Sequence, residues 1–345
     1  MGNKVIVGFS GGVDSSTSAF LLQKADCEVI GVQLLINDKQ RENIEFAERA
    51  AKHLGIKLIF EDCENEFRKS VLDSFISDYA QGVTPSPCPL CNAVFKFAKL
   101  LEIAEREVAD KVATGHYAAL EVLDDNRHYI RRWNNSFKDQ SYMLYRLPPE
   151  ILKRVVFPLS CFETKNDVRD VARKIGLNTA DRKDSQGLCF APKGIMRFLQ
   201  DNDVKFQPGF ITDKNGNVLG EHKGYPLYTV GQRRGLGLKE NTPLFITKII
   251  SDENRIVVGD YNDLYVDRIK VTQLVLHGKY KYREHWKQLT ARLRSSAGFI
   301  PVKSIEDDCV VLEKPTAWSA SGQHLVLYDG CGDEKSIVAG GGIIM

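Results

Sequence analysis

At 345 residues the chain is long enough for two or three domains, each burying its own core. Its 43% apolar and 27% charged content is ordinary for a soluble globular protein, and no apolar run reaches membrane-spanning length. The 47 basic and 45 acidic residues nearly cancel to +2, so the average charge selects no class of partner.

The N-terminus, "MGNKVIVGFSGG", enters a strand-like run at once, without the basic start, apolar stretch and cleavage site of a signal peptide. Eight cysteines scattered over this length read as cytosolic thiols rather than a disulfide scaffold. The expected location is the cytoplasm, with no membrane partner.

The run Lys4 to Phe9 passes through glycines into the helical "DSSTSAFLLQKA". The segment between, "GFSGGVDSS" (Gly8 to Ser16), sits where a phosphate-binding loop belongs. Gly11 and Gly12 allow close backbone approach. Ser10, Ser15 and the first helical N–H groups can donate to phosphate oxygens at the positive end of the helix. A Walker loop is excluded by the missing G-K-[ST], and a Rossmann fingerprint by the missing third glycine. The plain alternative is a glycine turn with a Ser/Asp cap.

Next come the strand "CEVIGVQLL", the helical "IEFAERAAKHLG" and the strand "KLIFEDC". "SPCPLCN" (Ser86 to Asn92) follows, then a helical run from Ala93 and the strand-like "KVATGHY". Strand–helix alternation of this kind predicts an α/β fold, a doubly wound parallel sheet with helices on both faces. Cys88 and Cys91 form a C-x-x-C pair, compatible with a redox dithiol, half a zinc site or part of a cluster site.

Beyond about Asn202 short alternating strands separated by D-K-N-G, D-E-N and glycine turns predict two small β-rich modules, the last a β-barrel. The expected domains are therefore 1–201, 202–262 and 263–345. Arg131 and Arg132, "GQRRG" from Gly231 and "YKYREHWKQLTARLR" from Tyr280 are basic stretches compatible with nucleic acid or with plain solvated surface. Trp133, Trp286 and Trp318 read as core anchors. Cys27, Cys63, Cys161, Cys309 and Cys331 read as packing residues.

S-G-G-x-D-S after a strand resembles the PP-loop of the N-type ATP pyrophosphatases, which use ATP and Mg2+ to adenylate a carbonyl oxygen. That resemblance implies that Gly8, Phe9, Ser10, Gly11, Gly12, Val13, Asp14 and Ser15 hold the nucleotide. Asp14 would lie near metal or pyrophosphate, and the backbone of Leu34 would touch adenine. Seven further strings occur in register: "TPSPCPLCN…FKF", "ATGHYA", "KDQSYML", "DRKDSQGLCF", "YTVGQRRGLG", "SGQ" and "GGGII". Together they resemble the tRNA-uridine 2-sulfurtransferase (tRNA-specific 2-thiouridylase) family over nearly the whole chain.

The resemblance implies ATP-dependent 2-thiolation of the wobble uridine of tRNA. Cys91 fits the nucleophile and Cys189 the persulfide carrier, with a disulfide between them as the resolving step. Gly115 would line the nucleotide site, and His116 would sit near the target base. Ser86, Pro87, Cys88, Lys138, Asp139, Gln140 and Gln323 would contact the tRNA anticodon stem-loop. The family's R-Y pair falls on Arg294 and Ser295, where the aromatic partner is missing. A sulfur donor or relay protein, such as a cysteine desulfurase system, is the second implied partner.

The residue types suit that chemistry by themselves. A uridine C2 carbonyl is a poor electrophile until adenylated, and a thiolate or persulfide can then displace AMP. Where the family commonly has aspartate, this chain has Cys88. Three cysteines with one open position suit a 4Fe–4S cluster on Cys88, Cys91 and Cys189. The competing expectation is a persulfide–disulfide relay with Cys88 a bystander. A PP-loop synthetase acting on a small molecule leaves the β-rich third and the paired cysteines without a task. A non-catalytic RNA-binding protein leaves the loop unexplained.

Overall fold

The computed structural model describes residues 3–134, 138–177, 180, 187–238 and 242–345. Val5, Ile6 and Val7 are buried at the centre of strand β1 (Lys4–Gly8), as a central parallel strand covered on both faces requires. Helix α1 (Val13–Lys24) returns the chain to β2 (Glu28–Leu35), and α2 (Asp38–Glu42) and α3 (Ile44–Leu54) lead to β3 (Lys57–Asp62). Then follow α4 (Glu64–Phe67), a π-helical turn at Arg68–Leu72, and α5 (Asp73–Ala80). Helix α6 (Pro87–Cys91) runs through a second π turn, Asn92–Lys96, into α7 (Phe97–Arg106). Strand β4 (Lys111–Ala113) precedes the hairpin β5 (Ala119–Val122) and β6 (His128–Arg131). The short α8 (Pro149–Leu152) and β7 (Val155–Val156) lead to α9 (Lys165–Lys174), opened by a capping box of Thr164 and Asp167, and later to α10 (Ile195–Asp201).

The first sheet has the order β3-β2-β1-β4-β7, and every pairing is parallel. Strand order reverses between β1 and β4, so a crevice opens at their carboxyl ends. Strands β8 (Gly209–Thr212), β9 (Val218–His222), β10 (Phe245–Ile250) and β11 (Arg255–Gly259) form a separate four-stranded sheet around Ile211, Ile246 and Ile256.

Six strands complete the chain: β12 (Tyr265–Leu276), β13 (Leu289–Arg292), β14 (Ile300–Glu306), β15 (Cys309–Ala317), β16 (His324–Asp329) and β17 (Ile337–Ile344). They run β12-β15-β14-β13-β16-β17, and β17 pairs back with β12, closing a barrel. Hairpin β5–β6, although it lies within the first 201 residues, joins this barrel sheet through Ile337 and Arg131, and Tyr129 packs in the barrel core. Trp133 is buried, and Trp286 and Trp318 pack on the barrel core. Cys63 is buried as expected, whereas Cys161 and Cys331 are exposed. Among the described residues no helix is long and apolar enough to cross a membrane.

Candidate active site

The loop from Gly8 to Ser15 leaves the carboxyl end of β1 and opens α1. Gly12 is the extended N-cap residue, and no side chain caps the helix. The first-turn N–H groups of Val13 and Asp14 therefore stand at the positive end of the helix dipole, where an anion is favoured. Ser10 N–H donates to Ser15 Oγ (3.2 Å), and Ser15 Oγ donates to the Gly12 carbonyl (3.2 Å), folding the loop on itself. Gly11 has φ +70°, and a Cβ there would lie 2.7 Å from Ala47 Cα, so only glycine fits. Buried Phe9 donates its N–H to the Val32 carbonyl (2.7 Å), extending the bonding between β1 and β2 one residue past the end of β1. Backbone alternation turns the N–H and C=O of Leu34 to the same edge, beyond the end of β1. Across the crevice Gly115 follows β4. A Cβ there would come within 3.0 Å of Asp14, so the residue after β4 packs directly on the first turn of α1.

Asp14 is held on both carboxylate oxygens. The Tyr117 hydroxyl donates to Oδ1 (2.6 Å) and the Lys165 ammonium to Oδ2 (3.1 Å). Lys165 is the first residue of α9, with its ammonium 5.6 Å from the Tyr117 ring centre. Gln140 fixes Tyr117: its Oε1 accepts from Tyr117 N–H (2.9 Å), and its own N–H donates to the Tyr117 carbonyl (2.8 Å). Sequence reasoning missed Tyr117 and Lys165. Tyr117 lay inside "ATGHYA", but nothing local ties either residue to the loop.

At the centre of the K-D-Q string the side chain turns inward. Asp139 is buried, accepting from Trp133 N–H (3.0 Å), Ser141 N–H (3.2 Å) and Ser141 Oγ (2.9 Å), and pairing with Arg132 at 3.3 Å. Arg292 lies 3.6 Å from the same carboxylate. With two guanidiniums and three donors around it, Asp139 has no face left for RNA. It is a core hub that compensates buried charge. Arg132, 1% exposed, likewise leaves the basic surface expected at Arg131 and Arg132. Lys138 is half-buried, and Arg294 and Ser295 are exposed just beyond β13.

Pro87 opens α6, a position that tolerates its missing N–H. Cys88 is exposed and Cys91 half-buried, three residues apart and so on one face of the helix. Cys189 is exposed. Aromatic packing brings the two segments together. Phe95, on the π turn after Cys91, lies 5.1 Å from Phe67, and Phe190, beside Cys189, lies 5.9 Å from the same ring. Asn37, at the end of β2, donates from Nδ2 to the Cys189 carbonyl (3.3 Å). Residues 181–186 of the string "DRKDSQGLCF", which contains Cys189, lie outside the described residues.

The three thiols sense one another. Burial pushes the Cys91 thiol up to about 12, with Lys96 pulling down and Cys189 and Cys88 adding to the rise. Burial also raises Cys88 and Cys189, again against Lys96. Cys88 and Cys189 touch water yet sit in a crevice walled by protein, so exposure and desolvation coexist. In the resting protein all three are protonated at neutral pH.

Lys96, which sequence reasoning also missed, acts on His116 as well. Burial first, then Lys96, hold that imidazole well below 6.5 and therefore neutral. Thr114 Oγ1 pairs with its Nδ1 at 2.7 Å, and the ring stacks on Phe97 at 6.0 Å. Among the described residues no three His, Cys, Asp or Glu side chains gather closely enough to hold a metal ion. Cys88, Cys91 and Cys189 thus do not form a ready ligand set for a cluster. Gln323 donates from Nε2 to the Thr84 carbonyl (2.7 Å), so its amide faces protein.

Residues 3–193 match the family model described as the tRNA methyl transferase HUP domain, and residues 196–260 the tRNA methyl transferase PRC-barrel domain. The chain is 41% identical to the tRNA-specific 2-thiouridylase MnmA 2 of Fusobacterium nucleatum, covering 99% of each chain. It is 38% identical to MnmA 1 of Caldanaerobacter subterraneus, over 99% of this chain and 98% of the other. Among solved structures, the U34-tRNA thiolase NcsA of Methanococcus maripaludis with its 4Fe–4S cluster is 19% identical, with TM-score 0.36, over 59% of this chain and 66% of that one. A 4-thiouridine synthetase in complex with RNA and ATP is 19% identical, with TM-score 0.35, over 58% of this chain and 50% of that one. The chain belongs to the tRNA-specific 2-thiouridylase family.

Proposed function

We propose that the chain converts uridine at the wobble position of tRNA to 2-thiouridine, consuming ATP and releasing AMP and pyrophosphate. What carries the reading is a phosphate loop and two cysteine-bearing segments joined by aromatic packing, on a chain related over its full length to 2-thiouridylases. Methyl transfer, named in the family-model descriptions, has no use for either feature.

The loop amides and Lys165 hold the phosphates while the uridine O2 attacks the α-phosphorus and pyrophosphate leaves. The N3 proton departs as the adenylate forms and returns with the product. Mg2+, when bound, would neutralise phosphate charge, with Asp14 as the carboxylate of the loop. His116, with Nδ1 held by Thr114, offers Nε2 to the base. A persulfide on Cys189, loaded by a sulfur donor or relay protein, attacks C2 through its terminal sulfur, and AMP leaves with the C–O electron pair. Cys91 then attacks Cys189 Sγ. The S–S bond breaks toward the nucleoside, and a Cys91–Cys189 disulfide remains for an external dithiol to reduce. The bases must leave the anticodon stack to be reached, and the two β modules suit recognition of the stem-loop by shape and phosphate. The cytoplasm is the compartment where such thiols stay reduced.

Cys88, a third thiol on the same helix as Cys91, favours one second reading, in which a 4Fe–4S cluster on Cys88, Cys91 and Cys189 replaces the relay. Iron and sulfide assays on anaerobically purified protein decide it. Bound iron that is lost in Cys88→Ala together with activity supports the cluster; full activity of Cys88→Ala without iron retires it. The activity itself is tested by nucleoside analysis of tRNA from a deletion strain. Loss of 2-thiouridine is expected, and unchanged 2-thiouridine overturns the proposal. Pyrophosphate release driven by a metabolite without RNA would point instead to a small-molecule synthetase.

A further inference from the structure

Helix α6 carries Cys88 and Cys91 at the N-terminal end of a run whose other end, α7, is packed in the catalytic core. It is the first turn of a helical run that continues through the π turn into α7, and no side chain caps that N-terminal end. Pro85, Pro87 and Pro89 remove three of the backbone donors that could anchor it. The two donors left immediately before it both leave the catalytic module. Thr84 N–H donates to the Ser321 carbonyl (3.0 Å) and Ser86 N–H to the Gly322 carbonyl (3.2 Å), both on the turn that enters barrel strand β16. The next two residues of that turn complete the bracket. Gln323 Nε2 donates to the Thr84 carbonyl (2.7 Å), and His324 Nε2 pairs with the Ser86 carbonyl (2.9 Å).

The other β module grips the same stretch from its own side. The Tyr225 hydroxyl donates to the Ala80 carbonyl (2.6 Å), and the Thr84 hydroxyl donates to Thr229 Oγ1 (3.3 Å). Residues 80–86, the stem of the thiol helix, are therefore where all three modules meet.

We propose that Gln323 is a positioning residue for the thiol site: the barrel turn 321–324, with Tyr225 of the central module, sets residues 80–86 and thereby the placement of Cys88 and Cys91. The β modules then act on sulfur chemistry directly, in addition to any contact with RNA. The kinetic arm of the test rests on the proposed thiolation; the chemical arm does not.

The test uses the full chain without RNA. The rates at which iodoacetamide alkylates Cys88 and Cys91 are followed by mass spectrometry in wild type, Gln323→Ala, Gln323→Glu and Tyr225→Phe. Losing one neutral hydrogen bond of the bracket is expected to change these rates about fivefold through a loosened stem. Gln323→Glu, which lacks a donor, should match Gln323→Ala. In turnover at saturating tRNA, kcat should fall. Wild-type alkylation with weakened tRNA binding would make Gln323 an RNA contact and overturn the proposal. Should Gln323→Ala not fold, Tyr225→Phe, which removes a single hydroxyl, carries the decision; unchanged alkylation there overturns it equally. Wild-type protein that thiolates no tRNA would sink the proposed function and leave the alkylation result standing.

Discussion

A Walker loop carries its own lysine one residue before the hydroxyl that follows it. The loop here has none, and its cation arrives from the first residue of α9, 151 positions away, with the Asp14 carboxylate as its resting partner. Incoming phosphates at the start of α1 offer that ammonium a stronger anion than Asp14 alone. Lys165→Met is expected to raise KM for ATP about ten- to a hundredfold, the value of one hydrogen bond to a charged group, while tRNA affinity stays unchanged. Lys165→Arg should recover part of the loss, because charge and reach are kept. Pyrophosphate release at varied ATP checks this, and an unchanged KM would remove Lys165 from the phosphate site. At this scale the sequence was legible where chemistry demands a local string. The Gly8–Ser15 loop, which runs from the end of β1 into α1, is of that kind. It was illegible where the same polar type serves either an RNA contact or a core hub. Asp139 and Gln140 read as surface, yet one is buried between Arg132 and Arg292 and the other brackets Tyr117. Only burial separates the two uses, and burial is not written locally.

Strands β1, β2 and β3 were readable because each is an apolar run bounded by polar or glycine breaks. The helical run from Ala93 was readable as helix, but not its π turn, where Phe97 N–H bonds the Asn92 carbonyl five residues back. Hydrophobic period does not register one such wide turn. That turn sends Phe95 to Phe67 and so helps join the Cys91 helix to the Cys189 segment. Phe190 is the matching anchor, packed 5.0 Å from both Phe75 and Phe198. Phe190→Ala is expected to cost about 3–5 kcal/mol in urea unfolding and to slow formation of a Cys91–Cys189 disulfide under a mild oxidant. An unchanged rate of disulfide formation in the folded variant would show that the aromatic cluster does not set the approach of the two thiols.

Across the whole molecule, the barrel is joined to the N-terminal residues through buried imidazole as well as through the pairing of β17 with β6. His324 is buried where β16 begins, with Nε2 on the Ser86 carbonyl and Nδ1 2.8 Å from the Tyr145 hydroxyl. Burial lowers its pKa from 6.5 to about 4, partly opposed by the Ser86 carbonyl. Burial lowers His277 and His116 in the same direction. The sign of the linkage follows. A base whose folded pKa lies below its unfolded value binds more protons when unfolded, so stability is complete above about pH 6.5 and falls as the pH drops toward 4. For His324 alone the loss between pH 7 and 4.5 is about 2–3 kcal/mol, since each tenfold change in proton affinity is worth about 1.4 kcal/mol. His324→Gln, which keeps an amide donor but cannot titrate, should show a shallower dependence of urea stability on pH by that amount, with the other histidines contributing equally to both proteins. Parallel curves would mean that His324 is not held neutral by the fold. Protonation places a poorly solvated charge at this joint, so acid should also loosen the stem of the thiol helix beside it. Alkylation of Cys88, compared with a small free thiol at each pH, should therefore shift toward that of an unconstrained cysteine below pH 6 in wild type and less so in His324→Gln.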